Sequence, residues 1–177
     1  MRRLQGEQGT TIIEVVVAAL ILMTLMGGLL SLVGLAISTT ENQGHLAART
    51  TEYAQDKMEQ LVALTYGDST SDTRTFPAAG SGGSGLAIGG SSNPSAPAAL
   101  YVDYLDDHGN LCGTTGAACV APSGTVPPTG WFYQRVWSVT QAAPNLKQIT
   151  VTSTIARGFG GANKASSTLT VLKANGF

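Results

Sequence analysis

The chain has 177 residues, room for one domain and an appendage but hardly for two domains. Only 12% of them are charged and the net charge is −1, so bulk charge is excluded as a guide to partners and only its distribution carries information. From Glu41 to Gly130 nine acids stand against Arg49, Lys57 and Arg74, whereas the stretch after Gly130 holds Arg135, Lys147, Arg157, Lys164 and Lys173 and no acid. Such asymmetry can mark an interaction face.

Taken in chain order, Arg2 and Arg3 precede a run from Ile12 to Ile37 in which Glu14 is the only charge. As a helix its 26 residues extend about 39 Å, enough to cross a bilayer with some tilt. The two arginines predict a cytoplasmic N-terminus and an exported remainder. A secretory signal peptide fits poorly: the run is too long, Gly34-Leu35-Ala36 is only a loose cleavage site, and a glutamate is out of place. A plain membrane anchor leaves Glu14 unexplained, because a carboxylate in the apolar layer costs about 3 kcal/mol and usually marks function.

A third reading accounts for the glutamate. The stretch "GEQG" followed by "TTIIEVVVAALIL" resembles the processing site of type IV prepilins and of type II secretion pseudopilins. That resemblance implies a leader over residues 1–9, cut after Gly9 by a membrane-embedded prepilin peptidase that also methylates the new amine of Thr10. Counting from Thr10, the glutamate is fifth, as in the family; Thr10 itself departs from the usual phenylalanine. The resemblance further implies that Glu14 pairs with the N-terminal amine of a neighbouring subunit in a fibre, each charge offsetting the other's desolvation. A proton relay would need several ionisable groups along the span.

Residues 10–38 are thus expected to form a transmembrane and assembly helix. Gly27, Ser31, Gly34 and Ser38 recur along one face and allow close helix approach, or are merely tolerated there. Residues 39–67 are expected to continue the helix amphipathically: Ala47, Ala54, Met58 and Leu61, widened by Leu46 and Val62, predict the face turned to a core, with a stop at Gly67. Residues 68–99 are rich in Gly, Ser, Pro and Ala and read as a flexible loop. Gly80, Gly82 and Gly85 satisfy GxGxxG there, but without a preceding strand, a following helix or a later acid they do not make a nucleotide site.

Residues 100–177 are expected to form an antiparallel sheet. Leu100 to Leu105 reads as a strand ending in a turn over Asp107–Asn110. Asp103, Asp106, Asp107 and Asn110 have oxygen-ligand composition, but their spacing misses a calcium loop and turns favour Asp and Asn for conformational reasons. Two cysteines, Cys112 and Cys119, are too few for a zinc site; in an exported head a short-loop disulfide is expected, with free thiols the alternative. "WFYQRVWSVTQ" places Tyr133, Trp137 and Val139 on one face and Phe132 and Val136 on the other. Pro144 and Asn145 mark a turn, Ile149, Val151 and Ile155 alternate with polar residues, and "STLTVLKA" supplies a third strand.

The expected fold is α+β, a pilin-like lollipop in which a long N-terminal helix packs on a C-terminal antiparallel sheet. "YVDYLDDHGN" and "RVWSVTQAAPNLKQITVTSTI" also resemble minor pilins of the type IV pilus modification group. With His45 on a helix, His108 in a turn and no nucleophile elbow, zinc signature or P-loop, no enzyme and no cofactor is expected. The function implied is a minor type IV pilin-like subunit; a type II secretion pseudopilin or a plain anchored, exported domain is the alternative. Its implied partners are prepilin peptidase, other pilin or pseudopilin subunits, an inner-membrane assembly platform and membrane lipid. It would reside in the inner membrane with the head outside the cytoplasm, then in a filament. Arg135, Lys147, Arg157, Lys164 and Lys173 are candidates for DNA or subunit contact, with nucleic acid the less favoured because five bases over 47 residues make no dense patch.

Overall fold

The computed structural model describes residues 11–67, 85–156 and 164–175. It contains one long apolar N-terminal helix, α1 (Ile12–Ala63), and a C-terminal antiparallel sheet, an α+β arrangement. The chain divides into two compact units, up to Glu41 and from Asn42 on.

In the first unit α1 is apolar all round. Its hydroxyls are turned into its own backbone: Thr24 donates to the Ile21 carbonyl, Ser31 to Gly28 and Ser38 to Leu35. No hydroxyl is thereby left to seek water along the run, which suits an apolar surrounding.

In the second unit the sheet consists of β1 (Gly89–Gly90), β2 (Val102–Leu105), β3 (Tyr133–Ala143), β4 (Leu146–Ile155) and β5 (Ser166–Ala174). Its order is β1-β3-β4-β5, and β2 pairs with the same edge of β3 as β1 does. The β3–β4 hairpin turns at Pro144 and Asn145, where Asn145 takes a left-handed conformation (φ 61°), one that asparagine tolerates well.

The front face of the sheet packs on Thr50, Tyr53, Ala54, Lys57, Met58 and Leu61 of α1, a stripe spaced three and four apart. Ala54, Met58, Leu61 and Leu64 meet Trp137, Val139, Ile149 and Val151 in the main core. Each large apolar side chain buried there contributes about 1.5–3 kcal/mol. Ala47 and Val62, expected on this face, are exposed instead. Thr50 and Thr51 tie the helix to β5 through the Ser167 hydroxyl, at 3.2 and 2.7 Å.

The back face is covered as well. Val102, Tyr104 and Val136 lie under the segment that carries Cys112 and Cys119, which are joined by a disulfide with a Cα–Cα distance of 4.9 Å. Val136 of β3 thus has a core of its own with β2, provided by a loop rather than by the helix.

The expectation of a flexible loop over 68–99 needs correction for residues from 85 on; residues 68–84, with Gly80 and Gly82, lie outside the described residues. Leu86 is fully buried in the main core, and Gly89 and Gly90 pair with Val139 and Ser138. Gly90 has φ 83°, and a Cβ there would stand 2.4 Å from both the Trp137 carbonyl oxygen and the Tyr101 ring. Only glycine fits so close an approach. The glycines that suggest flexibility in sequence are here a packing requirement.

Candidate functional site

Thr11 precedes the helix, and the Glu14 and Val15 amides donate to its carbonyl at 3.0 and 3.3 Å. This makes Thr11 the N-cap and Glu14 the third helical residue, the two positions of a capping box. A carboxylate in the first turn also complements the positive end of the helix dipole. Gly9 and Thr10, the expected cleavage and modification positions, lie outside the described residues.

Beyond Glu14, all seventeen large apolar side chains from Ile12 to Ile37 are at least half exposed, from 50% at Val17 to 85% at Ile12. This surface is far larger than an isolated soluble chain leaves bare, and it demands lipid or protein as cover. At about 1.5–3 kcal/mol per side chain, covering it yields tens of kcal/mol. The roughly 3 kcal/mol cost of one carboxylate is small beside that. The helix can therefore enter a membrane despite Glu14. A Cβ at Gly27 or Gly34 would meet nothing within 4 Å, so the small-residue face is open to a neighbour.

The charges of the head are arranged otherwise than the sequence suggests. Arg135 is buried: its Nη1 donates to Asp56 Oδ2 at 2.7 Å and its Nη2 to Asp103 Oδ2 at 2.9 Å. Lys57 Nζ lies 2.7 Å from that same Asp103 oxygen, with both side chains inaccessible, and 4.1 Å from the centroid of a Trp137 ring. Asp103 therefore joins two cations, one from the helix and one from β3, and the indole supplies a further cation–π contact.

Lys147 Nζ donates to the carbonyls of Tyr66 (2.9 Å) and Leu86 (2.7 Å), and Lys173 Nζ to those of Val62 and Leu64. These amines occupy the C-terminal end of α1, where carbonyls lack helical partners and the dipole favours cations. The helix accordingly ends at Ala63, ahead of the expected stop at Gly67.

Three of the five bases proposed as a contact surface are thus engaged inside the head. Lys164 is exposed, and Arg157 lies outside the described residues. Arg135 is thus paired with carboxylates of α1 and β2, and Lys147 and Lys173 with main-chain carbonyls.

The Asp-rich turn is likewise an organiser. Asp106 accepts from the amides of His108, Asn110 and Ala118 and from the Asn110 side chain, at 2.8–3.1 Å. Burial alone raises its pKa, and those hydrogen bonds outweigh burial and hold it below the ordinary carboxylate value. Asp103 faces the Lys57–Arg135 cluster, so the four oxygen ligands considered for calcium do not converge. Asp107 pairs instead with the His108 ring at 2.8 Å on the surface.

Burial, partly offset by Asp103, lowers the Lys57 pKa to about 8. An unfolded lysine keeps its proton up to about 10.4, so between these values unfolding takes up a proton and stability rises with pH. The expected gain from pH 8 to 9.5 is at most about 1.4 kcal/mol per unit. Tyr53, Tyr104 and Tyr133, raised by burial from 10.0, begin to oppose it about one unit below that value, so the rise is steepest between about pH 8 and 9. Urea midpoints across this range test the sign: a flat or falling parent curve, or an unchanged slope in Lys57→Met, would refute it.

Comparison with known proteins finds no match: no family model, no curated protein and no solved structure.

Proposed function

We propose that this chain is a minor type IV pilin-like subunit, cut after Gly9 by a prepilin peptidase and drawn from the inner membrane into a type IV pilus or a related filament. The observation that carries the reading is the exposed apolar length of α1 with one carboxylate, Glu14, at its third position. Lipid covers such a surface before assembly and neighbouring subunits cover it afterwards. In either setting a lone glutamate gains most from a nearby cation, and cleavage after Gly9 creates one four residues before it.

A plain anchor for an exported domain has one observation in its favour. Thr11 and Glu14 stand at capping positions, which gives the glutamate a use without any partner.

Intact mass separates the two. Expression with an active prepilin peptidase is expected to remove Met1–Gly9, with or without one added methyl, while expression without it leaves the chain whole. An unchanged mass in both hosts would favour the plain anchor.

A further inference from the structure

The back of the head carries a concave region that the assembly reading does not use. Two cavities, of about 520 and 480 Å³, meet at Trp131, which lines both. The indole is only partly covered, yet it is held in place. Its ring meets that of Tyr104 edge-on at 5.5 Å, and Tyr104 is fully buried and donates its hydroxyl to the Thr125 carbonyl at 2.7 Å. An aromatic platform fixed before a ligand arrives lowers the ordering cost of binding.

The lining indicates what could lie there. Gln134 and Thr154 contribute an amide and a hydroxyl to the larger cavity. The Thr154 hydroxyl donates to the Ala165 carbonyl, so its lone pairs can still accept. Lys164, exposed, lines the same cavity, and among the described residues no carboxylate lines either one. Pro94, Pro97, Pro127 and Pro128 form part of the walls and have no backbone N–H to offer. A peptide strand added through backbone hydrogen bonds would find few donors here.

We propose that the Trp131-centred groove binds an acidic oligosaccharide. A pyranose presents a flat C–H face that suits the electron-rich face of an indole. Its hydroxyls suit the amide and hydroxyl groups of Gln134 and Thr154, and its carboxylate suits Lys164. Two cavities flanking one ring suit a chain of sugars rather than a single one.

The test uses the full chain in micelles of a zwitterionic detergent without a sugar head, followed by Trp fluorescence and saturation-transfer NMR. Tetragalacturonate is expected to bind saturably, and cellotetraose about tenfold more weakly, equivalent to about 1.4 kcal/mol. Lys164→Ala, altering an exposed residue, is expected to reduce tetragalacturonate to the level of cellotetraose and leave the latter unchanged. Trp131→Ala is expected to weaken both at least about tenfold, with Trp131→Phe retaining most of the affinity. No saturable binding of either tetrasaccharide by the parent would overturn the proposal. So would equal, Lys164-independent binding of both, or Trp131-dependent binding of decaproline in their place. None of these outcomes depends on whether the chain is cut or enters a filament.

Discussion

Replacing Glu14 by glutamine is expected to leave membrane insertion and leader removal intact while reducing incorporation into filaments at least tenfold. The substitution discriminates because glutamine serves the third position of a capping box as glutamate does. The helix start, with Thr11 before Ile12 and the Glu14 amide on the Thr11 carbonyl, should therefore survive it. What glutamine cannot do is neutralise an amine. A buried ion pair that loses one partner typically costs about 3–5 kcal/mol, and each 1.4 kcal/mol is about a factor of ten. The ratio of sheared to cell-associated protein, measured with all other filament subunits present, reads the effect. Glu14→Ala should be at least as deficient. If glutamine assembles like the parent and alanine does not, the carboxylate serves as a helix cap and the assembly role proposed for it is wrong.

Asp103→Asn is expected to destabilise the head by about 3–5 kcal/mol, because it leaves Lys57 without its counter-charge inside the core. Asp103 Oδ2 lies 2.7 Å from Lys57 Nζ and 2.9 Å from Arg135 Nη2, and neither the aspartate nor the lysine is accessible. Arg135 keeps Asp56 at 2.7 Å, so the larger loss falls on the lysine. The coupling is tested by a double-mutant cycle. Lys57→Met should cost clearly less in the Asp103→Asn background than in the parent, with an interaction energy of about 2 kcal/mol. Urea unfolding followed by Trp fluorescence supplies the four stabilities, since Trp137 lies against Lys57. Additive costs would mean that the two residues contribute separately, and the cluster would no longer explain how helix and sheet are held together.

That cluster shows where reading the sequence reached its limit. Ala54, Met58 and Leu61 were legible as core from their spacing, because apolar residues three and four apart have few other uses in a helix. Apolarity alone added Ala47 and Val62, which are exposed, and omitted Thr50, Tyr53 and Lys57, which are buried. A lysine within an apolar stripe gives no local sign of burial, since its counter-ion lies 46 positions away on β2. The same applies to Lys147 and Lys173. Each sits in a strand of alternating polarity and looks solvated, and only packing brings its amine to the end of α1.

The sequence by itself determined the apolar span from Ile12 to Ile37, the position of Glu14 at its start, the three long strands and the Pro144–Asn145 turn. Those features depend on hydrophobic period, length and turn chemistry, all of which act between near neighbours in the chain. Tertiary structure alone decided that Leu86 and the Gly89–Gly90 pair belong to the sheet, that a disulfide-bearing loop covers its back, and that Arg135, Lys147 and Lys173 bind the molecule to itself. A charge goes where its counter-charge or an unpaired carbonyl is placed, and that placement comes from elements tens of residues apart.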